Sequence, residues 1–283
     1  MVEAATGILR ELQLTEAETL SQIKRICEKY GLTYYLVYGT LLGAVRHQGF
    51  IPWYDDIDIA LPYTDYVRFL EVAQKELGEG YFLQTSDTEV NYYRSYARVR
   101  KNGTTLMDKY QQGWDVHHGV FVDVFPLVEM NPGIEWKIKR NIVRVSNYII
   151  MDNYFLCKED EFVDKMGKIG VGLVKAFHKL PRSSRLKFKK WLLKCVYTAK
   201  NKKGKAIVWM GVTEVIPKET YEQTDILLFE GEAYPVASGY KAQLTQIYGD
   251  YMQLPPVEKR RGHGVETIID LERDYTFYLQ VKM

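Results

Sequence analysis

The sequence predicts an α/β (α+β) fold, a mixed sheet with flanking helices that also carries a basic helical insertion. Three observations lead there. Short runs rich in β-branched and aromatic residues alternate with segments of helical periodicity over the first 131 residues. A long helix-forming region then starts at Pro132 and reaches about Lys205. Within it, Lys165 to Lys205 holds 14 Lys and Arg and no Asp or Glu. At 283 residues the chain suits one large domain or two small ones. The expected division is a core over 1–131, the basic helical insertion over 132–210, and a segment over 211–283 that completes the core.

The elements follow in order. "TEAETLSQIKRICEKYG" reads as a helix, with Thr15 as cap, Glu18 closing a capping box and Gly31 ending it. "LTYYLVYG" is a strand, and "TLLGAVR" a short helix opening at Gly39-Thr40. "DIDIAL" is a strand of period two, with Asp56, Asp58 and Ala60 on one face and Ile57, Ile59 and Leu61 on the other. "YTDYVRFLEVAQKELG" is a helix stopped by Gly78. "YFLQTS" and "YRSYARVRKNGTTLMDKY" are further strands, the second folded at an Asn102-Gly103 hairpin turn. "GVFVDVFPLVEM" is an apolar strand with one acid, Asp123. After the basic region, "YKAQLTQIYGDYM" is helical and "LPPVEKRRGHG" an ordered loop.

Composition is that of a globular protein, 46% apolar and 26% charged. Cys27, Cys157 and Cys195 are far apart and in no metal-like spacing, so each is expected as a buried free thiol in a reducing compartment. The N-terminus lacks the apolar core of a signal peptide, and no apolar run nears the ~18 residues that span a bilayer. The expected location is cytoplasmic. The net charge of +2 conceals a segregation: outside the basic segment, 24 basic residues face 36 acidic ones, a net of −12. Such a separation points to a partner.

The stretch "YGTLLGAVRHQGFIPWYDDIDIAL" ends in Asp55, Asp56 and Asp58. Clustered anions repel and lose hydration, and little Lys or Arg lies nearby to compensate. Asp56 and Asp58, two apart on a strand, point the same way. If the strand bearing Asp123 is a neighbour, three carboxylates converge into a hard-oxygen site for Mg²⁺ or Mn²⁺. Such ions clamp an in-line displacement at phosphorus. Gly39 and Thr40 fit the same chemistry, because a glycine and a helix N-terminus let backbone N–H groups approach a phosphate. Acids that simply end strands and face water fit a lone Asp-X-Asp as well.

That stretch, with "GVFVDVFPL" and "YGDYMQLPPVEKRRGH", closely resembles the signature of the LicD family of phosphocholine transferases, members of the nucleotidyltransferase superfamily distantly related to fukutin-type proteins. The motifs span Tyr38 to His263. One departure is visible: the family reads tryptophan and then three acids, whereas Tyr54 here replaces the first acid. Asp56 and Asp58 match the superfamily's metal-binding pair. The resemblance implies a nucleotidyltransferase-like core that moves phosphocholine from CDP-choline to a sugar hydroxyl of a teichoic acid or lipopolysaccharide precursor, releasing CMP. It implies Asp56 and Asp58 as ligands of Mg²⁺ (or Mn²⁺), with Asp123 as a third ligand or as the base. Transfer of ribitol phosphate or a nucleotide on the same fold, or a non-catalytic glycan-assembly module, are the alternatives.

Around the acids, Arg46 and His47 are candidates for the phosphate, as is Arg98, which alternates with Arg100 on a strand. Arg260 and His263 are placed to close over the nucleotide or to pack their loop. Choline is a quaternary ammonium, bound by aromatic faces. Trp53 leads the candidates, with Tyr54, Trp114, Tyr92 and Tyr93 behind it. His117-His118 reads as a turn. In the basic segment, Met166, Ile169, Leu173, Phe177 and Leu180 share one helical face and Lys165, Lys168, Lys175 and Lys179 lie mainly on another. A basic amphipathic helix suits an anionic membrane surface. The expected partners are therefore CDP-choline, a lipid-linked glycan and, through 165–205, the inner face of the cell membrane. Nucleic acid is not expected, since the rest of the chain is acidic.

Overall fold

A computed structural model describes residues 5–108, 114–131, 133–151, 159–197, 206–208, 215–260, 262 and 267–280. Helix α1 (Gly7–Tyr30) ends where expected, at Gly31 with φ 61°. It begins a full two turns before Thr15, whose hydroxyl sits inside the helix and donates to the Glu11 carbonyl at 2.9 Å. The capping box is therefore not formed. Leu12 and Gln13 extend the buried stripe of Leu20, Ile23 and Cys27, and this packing overrides the local stop signal.

The sheet joins β1 (Tyr35–Leu36), β2 (Asp58–Pro62), β3 (Tyr81–Gln84), β4 (Ala97–Lys101) and β6 (Phe121–Met130) in the order β1-β2-β6-β4-β3. β2 and β6 are parallel; the other pairs are antiparallel. The parallel pair needs a crossover, which runs through α3 (Tyr63–Leu77) and the β3–β4 pair. Ile57, Ile59, Leu61, Val122 and Val124 pack with α1 and α3 in the main core. Ala60, Phe125 and Leu127 form a second cluster with Tyr35 and Val37. The two-faced reading of "DIDIAL" holds for its apolar residues, but the strand starts at Asp58, so Asp56 stands before it rather than on it.

The Asn102-Gly103 turn forms, with Gly103 at φ 73°, yet it does not close a hairpin. β5 (Thr105–Asp108) pairs instead with β11 (Thr267–Asp270). β7 (Ala206–Val208) joins the far half of β6 and also pairs with β8 (Ile216–Pro217). β9 (Thr224–Phe229) and β10 (Glu232–Ala237) form a hairpin through Glu230 and Gly231, both at positive φ. Glu230 binds Arg10 at 2.6 Å and accepts the Phe50 N–H at 3.0 Å, so this hairpin ties α1 to the loop that leads into the acids.

The long helical region divides into α4 (Ile134–Tyr148), α5 (Glu159–His178) and α6 (Arg182–Tyr197). Pro181 separates the last two, as a residue without an N–H breaks a helix interior. Val171, Val174 and Leu186 pack against Ile149 and Ile150, while Ile169, Leu173, Leu180 and Trp191 are exposed. Two of the basic residues are internal: Arg185 donates to the Ile149 carbonyl at 2.7 Å, and Lys189 is fully buried. Of the cysteines, Cys27 is buried but Cys195 is exposed, contrary to expectation; Cys157 lies outside the described residues. So do the side chains of Lys165 and Met166, together with Lys200, Lys202, Lys203 and Lys205. The C-terminal part adds α7 (Tyr240–Tyr248), a 3-10 turn at Val257–Lys259, and α8 (Thr276–Gln280).

Candidate active site

Helix α2 (Tyr38–His47) and the loop after it deliver the acids to the sheet. Thr40 is buried, and its hydroxyl accepts the Asp58 N–H at 2.8 Å. The Asp58 carbonyl accepts the Val37 N–H at 3.2 Å. The backbone of Asp58 is thus fixed on both sides before its side chain does anything. Gly39 leaves space that the Tyr54 ring fills; any side chain there would collide with it. The glycine thus accommodates an aromatic ring.

The sheet register then sets Asp58 beside Asp123, Asp123 beside Arg98, and Arg98 beside Gln84. Paired residues of neighbouring strands project from the same side of a sheet, so one row runs acid, acid, arginine, amide. Arg98 meets Asp123 with Nε to Oδ1 at 2.5 Å and Nη2 to Oδ2 at 3.1 Å. Its guanidinium also lies 3.6 Å from the Phe121 ring centroid. Part of the positive charge that the acids require is therefore protein-borne, brought from a strand 40 residues away in sequence. Arg98 was expected at the phosphate; it is instead committed to Asp123. Arg100 donates to the Gln84 side chain at 2.6 Å and the Gly119 carbonyl at 2.5 Å. Tyr96 O–H donates to Asp123 Oδ2 at 3.4 Å, and Arg94 donates to the Tyr96 oxygen at 2.5 Å.

Burial, then Asp56 and Asp123, push the Asp58 carboxyl well above the usual carboxylate range, against the pull of Arg98 and Arg94. Glu16, on the inner face of α1, is fully buried, and neither of its oxygens has a hydrogen-bond partner among the described residues. Its carboxyl is raised first by burial and then by Asp56, Asp55, Asp58 and Asp123, which places it in the field of the same cluster. One turn earlier, Gln13 donates to the Tyr54 carbonyl at 2.8 Å, anchoring α1 on the acid loop. The excess of buried oxygen ligands suits a hard divalent cation. Among the described residues no three Asp, Glu, His or Cys side chains are gathered as a ready-made metal cluster, and Asp123 is turned into Arg98.

Trp53 and Tyr54, which immediately precede the acids in the chain, help line a cavity of about 500 Å³. Arg46, Trp53 and Tyr54 form its inner wall, and Tyr248, Asp250, Tyr251 and Lys259 its outer one. Arg46 Nη1 donates to the Tyr251 carbonyl at 2.8 Å, and Arg260 Nε to the Pro255 carbonyl at 2.9 Å. Arg260 also stands 5.5 Å from the Trp53 ring, and Gly262 packs closely on the Trp53 carbonyl and Asp55. His47 meets Trp53 edge-on at 6.5 Å, and burial with Arg46 nearby lowers it to about 4. His263 lies outside the described residues.

Of the aromatic candidates, Trp53 and Tyr54 line the cavity; Tyr92 is buried elsewhere, and Tyr93 packs edge-on with Trp114 at 5.6 Å. The rings of His117 and His118 make local hydrogen bonds. His117 Nε2 bonds Asn102 Oδ1 at 2.9 Å while Nδ1 accepts the Gly119 N–H at 3.0 Å. Sequence reading missed Glu16, Arg94 and Tyr96, whereas the outer cavity wall falls in the motif "YGDYMQLPPVEKRRGH". Glu16 carried a signal, since an acid at a position framed by Leu12, Leu20 and Ile23 breaks a helix's apolar stripe.

Residues 31–155 match the family described as LicD/FKTN/FKRP, nucleotidyltransferase domain. Over 264 residues the chain is 30% identical to the lipopolysaccharide cholinephosphotransferase LicD of Haemophilus influenzae, covering 91% of this chain and 96% of that protein. Shorter similarities are to uncharacterized proteins of Rickettsia typhi (38% over 63 residues, 22% of this chain and 20% of that one) and Rickettsia prowazekii (32% over 84 residues, 30% and 29%).

Proposed function

The chain belongs to the LicD family, and from that premise we propose that it transfers phosphocholine from CDP-choline to a sugar hydroxyl of a lipopolysaccharide or teichoic acid precursor, releasing CMP. The observation that carries this reading is the register pair Asp58–Asp123, reached along the chain from Trp53 and Tyr54, which line an aromatic cavity. Asp56 and Asp58 would hold Mg²⁺ or Mn²⁺, and Asp123, steadied by Arg98, completes the anionic wall. When bound, the cation draws charge from the phosphoryl oxygens and lowers the cost of ionising the attacking hydroxyl. The sugar oxygen bonds to the phosphorus bearing choline as the bond to the CMP oxygen breaks, and the hydroxyl proton passes to Asp123. The faces of Trp53, Tyr54, Tyr248 and Tyr251, with Asp250 beside them, suit a quaternary ammonium.

The test is CMP release from CDP-choline with a lipid-linked glycan acceptor, with and without Mg²⁺, for the parent and Asp58→Ala. Release with labelling of the acceptor, abolished without Mg²⁺ or Asp58, supports the reading. No release from any acceptor overturns it.

The exposed Ile169, Leu173, Leu180 and Trp191, set among Lys168, Lys179 and Lys187, support the further reading that α5 and α6 rest on an anionic membrane surface, on its cytoplasmic face. No helix among the described residues is long and apolar enough to cross a membrane. Co-sedimentation with anionic vesicles, weakened by Ile169→Ser with Trp191→Ser, is the expected outcome; sedimentation unchanged by the pair overturns it.

A further inference from the structure

We propose that Arg94 is the residue that grips the donor's phosphate charge, and that α6 holds it there. The proposal rests on the phosphoryl-transfer reading above and names the residue that meets the phosphates.

Arg94 lies in the irregular segment that enters β4, partly open to solvent. Nη1 donates to the Tyr96 oxygen, and the guanidinium stands 5.3 Å from the Tyr93 ring centroid and 5.4 Å from that of Tyr96. No carboxylate among the described residues lies within ion-pair distance of it. Yet the Arg94–Tyr96–Asp123 chain puts it next to the acid row, and its charge acts on both Asp58 and Asp123. The two arginines that share β4 are committed elsewhere: Arg98 is locked on Asp123, and Arg100 on Gln84 and Gly119. Arg46 and Arg260 bond carbonyls of the outer cavity wall instead of the acid row. Arg94 retains N–H groups on a planar fork, the geometry that fits a phosphate in two-point contact.

The insertion accounts for its position. Three consecutive carbonyls, those of Tyr93, Arg94 and Ser95, are capped from α6. Lys189 Nζ donates to the first two, the second at 2.9 Å, and Tyr197 O–H donates to the third at 3.2 Å. Ser95 O–H also donates to Asn147 Oδ1 on α4 at 2.5 Å. Lys189 is wholly buried and its partners are neutral carbonyls. Burial, then the charge of Arg182, lowers the Lys189 amine to about 7, so its part is to hold the backbone that carries Arg94.

The experiment measures binding of inorganic pyrophosphate by calorimetry and of Mn²⁺ by electron paramagnetic resonance, on the full chain. Arg94→Gln is expected to weaken pyrophosphate about 10- to 100-fold, the range of a hydrogen bond to a charged group. Arg94→Lys, which keeps the charge and fold but not the fork, should weaken it about 5-fold. Lys189→Met should weaken pyrophosphate while Mn²⁺ affinity, which rests on Asp56 and Asp58, stays as in the parent; a general loosening of the fold lowers both. Equal pyrophosphate affinity in the parent, Arg94→Gln and Arg94→Lys overturns the proposal, as does a parent that binds none. A parent that binds pyrophosphate through Arg94 but releases no CMP from CDP-choline overturns the choice of donor and leaves Arg94 in its role.

Discussion

Arg98 clasps Asp123 with two parallel hydrogen bonds, at 2.5 and 3.1 Å, across adjacent antiparallel strands. Both side chains are almost fully buried. Removing one partner of such a pair leaves a charge stranded in low dielectric, which costs about 3–5 kcal/mol. Arg98→Met is therefore expected to lower unfolding stability by about that much in urea titration. Arg98→Met with Asp123→Leu should recover at least half of the loss, since no charge is then stranded.

Glu16 gives a prediction of opposite sign. In the folded protein its carboxyl is raised well above 4.5 by burial and four nearby Asp, so the native state keeps a proton that the unfolded chain releases. Stability from this group is complete below about pH 4.5 and is lost as pH rises toward the native value. Glu16→Gln abolishes that loss. At pH 7 without divalent cation, the variant should unfold at higher urea than the parent.

Trp53 separates choline recognition from chemistry. A cation–π contact in a partly desolvated cavity contributes about 1–2 kcal/mol. Trp53→Ala should raise KM for CDP-choline about 5- to 30-fold while kcat stays within about threefold, measured by CMP release. An equal fall in kcat and kcat/KM would remove Trp53 from choline binding.

His117 and His118 are expected to make the fold less stable in acid. Burial and the charge of Arg100 lower them to about 3 and about 4, against an ordinary 6.5. The unfolded chain therefore binds protons that the native state refuses, and stability falls as pH drops from about 6.5 toward 4. Protonating His117 also costs the bond that its Nδ1 accepts from Gly119. His118→Gln should flatten the fall, followed by thermal unfolding between pH 4 and 7.

The fold and the site were legible to different depths. Period-two patterning made β2 readable and a continuous apolar run made β6 readable, and with them Asp58 and the lone acid Asp123. Their adjacency was a condition the sequence left open, and the parallel pairing meets it. Contacts made at long range were not legible. β5 finds its partner at 267–270, and local turn chemistry at Asn102-Gly103 carries no sign of that. Arg98 and Arg94 look alike on the chain; which one a carboxylate claims depends on strand register. The cavity's outer wall was legible as the motif that begins at Tyr248, but that Tyr248 and Tyr251 stand across from Trp53 follows from no periodicity they share with it.

The arginines that secure that outer wall do so through main-chain oxygens: Arg46 through Tyr251 and Arg260 through Pro255. A carbonyl is the same whatever residue bears it. The wall can therefore exchange its side chains over evolutionary time without losing its seat, and the scaffold is free to drift toward donors with a different head group while the acid row stays unchanged.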